Sequence, residues 1–91
     1  MNNTLSNENI GRNIKKIREI KNLTQDYLAG QLGISTKSYA SWENGTVQLT
    51  LEKISNIANV FEMNPIDLLS FDEKVYFERC SNGIFGYINS N

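Results

Sequence analysis

The chain has no histidine, one cysteine (Cys80), one proline (Pro65) and no long apolar run. Without histidine it lacks the side chain most often used as a general base or metal ligand near neutral pH. A lone Cys80 cannot close an internal disulfide or pair with a second thiolate at a zinc site. The six glycines do not form a phosphate-cradling loop, and Asp26, Glu43, Glu52 and Glu62 show no paired arrangement suited to acid–base work. These gaps argue against an enzyme and imply no cofactor and no metal. No apolar stretch approaches the ~18 residues of a membrane span, and the first residues carry no leader pattern. The expectation is a protein without a membrane partner, in a reducing cytoplasm.

Strong net charge is also missing: nine Lys and Arg stand against ten Asp and Glu. The distribution is uneven, however. Residues 9–50 hold Arg12, Lys15, Lys16, Arg18, Lys21 and Lys37 against Glu19, Asp26 and Glu43, a balance of +3. Residues 51–91 hold Lys53, Lys74 and Arg79 against Glu52, Glu62, Asp67, Asp72, Glu73 and Glu78, a balance of −3. A polyanion needs a local basic face, not a basic whole, and the first half offers one.

At 91 residues the chain is one small domain with a modest core. Residues 1–8 are polar and read as a lead-in, with Ser6 or Asn7 available to cap the first helix. From about Asn9 to Lys21, Ile10, Ile14 and Ile17 recur at helical spacing, and Asn22 suits the left-handed residue that ends a helix. Thr24 caps a second helix, about Gln25 to Leu32, and Gly33 supplies the turn. Ser35 caps a third, about Thr36 to Glu43, closed by Asn44-Gly45. Tyr39 and Trp42 could be taken for base-stacking aromatics, but their spacing with Leu32 and Ile34 assigns them to the core. Thr50 caps a fourth helix with Leu51, Ile54, Ile57, Ala58 and Phe61 on one face. Asn64-Pro65 opens a fifth that carries Ile66, Leu68 and Leu69. Gly30, inside the second helix, has no evident local purpose.

The last stretch differs. Residues 75–80 and 84–88 are rich in aromatic and β-branched side chains, with Ser81-Asn82-Gly83 between them. This reads as a hairpin, or as one strand with a frayed end. The expected organisation is a lead-in at 1–8, a helical domain at 9–70 and a β-prone tail at 71–91 available for dimerisation. The fold class is all-α: a compact five-helix domain plus a short C-terminal β-strand or hairpin.

Two short helices joined at Gly33, the second with an apolar inner side and a Thr, Lys and Ser outer side, describe a helix-turn-helix. Leu23-Thr24-Gln25, Leu28-Ala29, Leu32-Gly33-Ile34-Ser35 and Glu43-Asn44-Gly45 resemble the Cro/C1-repressor family of helix-turn-helix regulators. The later apolar pattern from Leu51 to Leu69 resembles that family's fourth and fifth helices, so the likeness covers about residues 10–69.

The resemblance implies a repressor-like DNA-binding domain whose third helix enters the major groove. It matches Thr36, Lys37 and Ser41 to base-reading positions. Lys37 can donate to guanine O6 and N7, and Thr36 can offer its methyl to thymine or its hydroxyl to a base edge. Ser41 is short enough to read through water or simply to allow close approach. Gln25 and Asn44 match phosphate-contacting positions, and Ser35 and Ser38 are assigned to phosphate beside them. Arg18 and Glu43 resemble an ion pair that ties the first helix to the end of the third. Thr46 departs from the pattern, standing where the family often has a basic residue.

The implied function is sequence-specific transcriptional regulation, as a repressor, by a homodimer on a palindromic operator in double-stranded DNA. The dimer would form through the tail, the fifth helix or both. Two alternatives stay open. One is an antitoxin-type module that also binds DNA but chiefly holds a toxin or another protein. The other is a helical module that makes no DNA contact.

Overall fold

In each of the five described helices the first turn is closed by the residue just before it. The computed structural model describes residues 6–76. Among them run α1 (Asn7–Ile20), α2 (Gln25–Leu32), α3 (Thr36–Asn44), α4 (Leu51–Val60) and α5 (Pro65–Leu69). The side chains of Ser6, Thr24, Ser35, Thr50 and Asn64 each accept from a backbone N–H in the turn that follows. Each such cap contributes on the order of 1 kcal/mol. Because Ser6 rather than Asn7 is the cap, α1 begins two residues before the expected Asn9.

The far ends of α1 to α4 also share one closure. Asn22, Gly33, Gly45 and Glu62 take positive φ, at 62°, 72°, 76° and 58°. In each case that residue and the next bond back to the last turn, as with Asn22 N–H to the Glu19 carbonyl and Leu23 N–H to that of Arg18. This pair of hydrogen bonds satisfies carbonyls that would otherwise be left over at a helix end. Glu62 is the unexpected member, since a glutamate has no special tolerance for left-handed backbone.

The core collects Ile10, Ile14 and Ile17 from α1, Leu28 and Ala29 from α2, and Tyr39 and Trp42 from α3. Leu49 before α4, Ile54, Ile57 and Ala58 from α4, Phe61 at its end and Leu68 from α5 complete it. Helix α3 packs on α1 and α2, α4 on α2, and α5 on α1 and α4. Two apolar positions depart from the expected inner faces: Leu51 is 76% exposed and Ile66 69%. Each sits in the first turn of its helix, where no described residue covers it.

Two close approaches fix α1 on α3. A β-carbon on Gly11 would lie 2.5 Å from the Glu43 carbonyl oxygen and 2.6 Å from that of Trp42. At Gly45 the left-handed φ coincides with the Glu8 backbone, 2.8 Å from where a β-carbon would stand. Asn13 then ties α1 to the end of α5, donating to the carbonyls of Leu68 and Leu69 at 3.2 Å each.

The described residues contain no strand. Val75 and Tyr76, expected to begin one, lie in a helical turn at 73–76. Asp72 starts that turn: its carboxylate accepts from Lys74 N–H at 2.9 Å, and its carbonyl accepts from Tyr76 N–H at 3.0 Å. Tyr76 stacks at a tilt on Phe71 and Glu73 pairs with Lys16, so tertiary contacts and a cap override local β preference. The remaining β-prone residues, 77–91, lie outside the described residues.

Candidate nucleic-acid interface

Helix α3 divides cleanly by side. Tyr39, Trp42 and Glu43 are buried, whereas Thr36, Lys37, Ser38 and Asn44 are exposed and Ser41 is half-buried. Lys37, Ser41 and Asn44 recur at spacings of four and three, which aligns them along one outer strip. Tyr39 has no exposed surface and Trp42 is 8% exposed, so both are core residues, with ring centroids 6.2 Å apart. The Lys53 ammonium covers the Trp42 ring at 5.4 Å from its centroid.

The buried side holds the helix in place through Glu43. Arg18 Nε donates to Glu43 Oε2 at 2.6 Å and its Nη2 to Oε1 at 3.3 Å. Arg18 Nη1 also donates to the Leu23 carbonyl at 2.8 Å, at the entry to α2. The Tyr39 hydroxyl donates to Glu43 Oε2 at 2.6 Å, and the Gln25 amide to Oε1 at 3.0 Å. One carboxylate therefore gathers α1, α2 and α3.

The electrostatics follow from that geometry. Burial is the largest influence on Glu43 and by itself raises its pKa. The hydrogen bonds from Arg18, Tyr39 and Gln25, with the Arg18 charge, outweigh it and leave the carboxyl below the ordinary glutamate value. The hydrogen bond to Glu43 raises Arg18 against the opposing effect of burial. Burial, then the bond to Glu43, pushes the Tyr39 hydroxyl well above the ordinary tyrosine range.

The expected pair of Arg18 with Glu43 is present, and its two further partners were missed. Tyr39 stands four residues before Glu43 on one helix, a spacing that could have suggested the contact. Gln25 has no such local signal. Its amide, matched to phosphate, here gives one N–H to Glu43 and keeps the other.

The remaining residues matched to DNA sit around the start of α3. Ser35 caps the helix, accepting from Ser38 N–H, and its hydroxyl donates to the Ser38 hydroxyl, both at 3.0 Å. Ser41 turns its hydroxyl back onto the Ser38 carbonyl at 2.6 Å, so outward it can only accept. Thr36 donates its hydroxyl to the Asp26 carboxylate on α2. Lys37 is exposed and has no hydrogen-bond partner among the described residues. Thr46, where a basic residue would be usual, donates to the Ser41 carbonyl at 3.2 Å and closes the end of α3. The face thus presents one exposed cation, a row of short hydroxyls and one carboxylate. Among the described residues no group of His, Cys, Asp and Glu could hold a metal ion, and no helix is long and apolar enough to cross a membrane.

Comparison with known proteins gives a consistent result. A helix-turn-helix family model matches residues 14–69. Over 64 residues the chain is 38% identical to the antitoxin PezA of Streptococcus pneumoniae, an alignment covering 70% of this chain and 40% of that protein. It is 32% identical over 69 residues to the HTH-type transcriptional activator BcrR of Enterococcus faecalis, covering 76% and 34%. It is 35% identical over 66 residues to YqaE of Bacillus subtilis, an uncharacterised HTH-type transcriptional regulator, covering 70% and 57%. The chain therefore spans between about a third and three fifths of these relatives. No solved structure gives a significant match.

Proposed function

This chain belongs to the Cro/C1-type helix-turn-helix family, and from that premise we propose that it is a sequence-specific DNA-binding regulator that reads the major groove with α3. The carrying observation is the two-sided α3. Glu43, Tyr39 and Trp42 lock one side into the core, while Thr36, Lys37 and Ser38 are exposed, Ser41 is half-buried, and Thr36 reaches Asp26 in the first turn of α2. Such a helix is held rigidly by one side and presents short polar groups on the other, as base-edge contact requires. Gln25, Ser35, Ser38 and Asn44 would hold phosphate around it, with Gln25 using its second N–H.

The reading surface carries few long side chains, so one copy would bind weakly. We assign the chain to a homodimeric repressor whose two α3 helices, about 34 Å apart, read the halves of a palindrome. Selection of bound duplexes from a random pool tests this directly. The expected product is a two-fold symmetric motif with half-sites one helical turn apart. Enrichment of an unpaired half-site would remove the dimer, and no enrichment would remove sequence-specific binding altogether. The solution mass of the full chain beside one ending at Tyr76 tests whether residues 77–91 make the dimer contact. A truncated chain that remains dimeric places that contact on the helical body.

A second reading draws on the similarity to an antitoxin. Here DNA binding is retained, and the aromatic residues beyond Tyr76 hold a toxin. A toxin gene beside this one, whose product co-purifies with the full chain but not with the chain ending at Tyr76, would favour it.

A further inference from the structure

Thr36, the first residue of α3, does not present a free hydroxyl. Its Oγ1–H points into the carboxylate of Asp26, the second residue of α2, so the bond links the first turns of the two helices. Both residues are exposed, so this bond is not a by-product of core packing. It spends the only donor that threonine has and leaves Oγ1 as an acceptor with its methyl alongside. In the major groove that combination suits an exocyclic amine of adenine or cytosine, or the methyl of thymine. It has nothing to offer guanine O6 and N7, which require a donor and which the nearby carboxylate repels.

Resting on the DNA-reading role of α3, we infer that Asp26 is a positioning residue for specificity. It fixes the Thr36 rotamer and hydrogen-bond polarity so that the base facing Thr36 is selected against guanine. Asp26 does this without touching a base. It also carries a negative charge toward the DNA, a cost in general affinity that a purely electrostatic surface would not retain.

The test is selection of bound duplexes with the full-length chain, comparing the natural sequence with D26A, D26N, T36V and D26A/T36V. For the natural chain, guanine at the base facing Thr36 should be disfavoured by about tenfold or more. D26A should bring that discrimination within about threefold at this position alone, because the freed hydroxyl can rotate and donate to guanine. D26N keeps an acceptor for Thr36, so the preference should survive while affinity rises for all sequences alike. T36V should lose the acceptor, and adding D26A to it should change no base preference. Thermal melting of each variant checks that the domain remains folded, and a folded D26N or T36V keeps the comparison decisive if D26A is not. An unchanged D26A motif, an equal shift at every position, or D26N behaving as D26A would each overturn the inference. A natural-chain pool with no enriched motif would instead overturn the DNA-reading role itself, and the inference with it.

Discussion

Gly11 lies against the end of α3 so closely that a β-carbon there would stand 2.5 Å from the carbonyl oxygen of Glu43. Glu43 is thus held from both sides of its own residue, by its backbone against Gly11 and by its carboxylate against Arg18. Both contacts hold the end of α3 against α1.

Gly11→Ala should be costly, because the obstructing atoms are backbone and cannot rotate away. A loss of about 1–3 kcal/mol is the usual range for overpacking. Gly30→Ala should do the reverse: its β-carbon would meet nothing within 4 Å, and alanine is favoured by about 1 kcal/mol in a helix. Denaturant unfolding of the two variants should give changes of opposite sign. Equal effects would mean that the close approach does not constrain the fold.

Arg18→Ala should destabilise folding by about 3–5 kcal/mol, since it leaves the Glu43 carboxylate buried without its counter-charge. It also strips a donor from the Leu23 carbonyl. An unchanged melting temperature accompanied by weaker DNA binding would show instead that Arg18 is a contact residue.

Stability should fall at both ends of the pH scale. The folded-state pKa of Glu43 is depressed, so its contribution is present above the ordinary glutamate value of 4.5 and is lost as pH drops through the folded-state value below it. That of Tyr39 is raised, so its contribution is present below the ordinary tyrosine value of 10.0 and is lost as pH climbs beyond it. Melting temperatures across pH 2 to 11 should therefore show a plateau between these limits. Tyr39→Phe should remove the alkaline decline, and a variant that keeps it would assign the decline elsewhere.

Lys37→Ala should leave melting unchanged, as the side chain is exposed and unbonded among the described residues. DNA affinity should fall by about 1–3 kcal/mol if Lys37 reads a base, with relaxed preference at that one position. A uniform loss over all sequences, with a shallower salt dependence, would reassign Lys37 to phosphate.

Much of this architecture can be read along the chain because it is local. Ser6, Thr24, Ser35, Thr50 and Asn64 cap helices through their own next turn, and Gly33 ends α2 by a left-handed residue that glycine takes without strain. Burial of Ile10, Ile14 and Ile17 follows from 3.6-residue periodicity. The Arg18–Glu43 pair has no local signature, because 25 residues separate its members, and only the family resemblance implies it. Nothing near Gly11 in the sequence marks the approach of α3, and Leu51 and Ile66 fit apolar stripes that no described residue covers.

By itself, then, the sequence determined the order of the five helices, the residues that cap them, most of their inner sides and the polar outer strip of α3. Those depend on spacing, caps and turn residues within a few positions of one another. Only the tertiary structure decided that Gln25 and Tyr39 join Arg18 on Glu43, that Asp26 takes the Thr36 donor, and that Val75 and Tyr76 wind into a helical turn. A hydrogen bond between distant residues exists only when packing brings donor and acceptor to about 3 Å, and no local pattern encodes that distance.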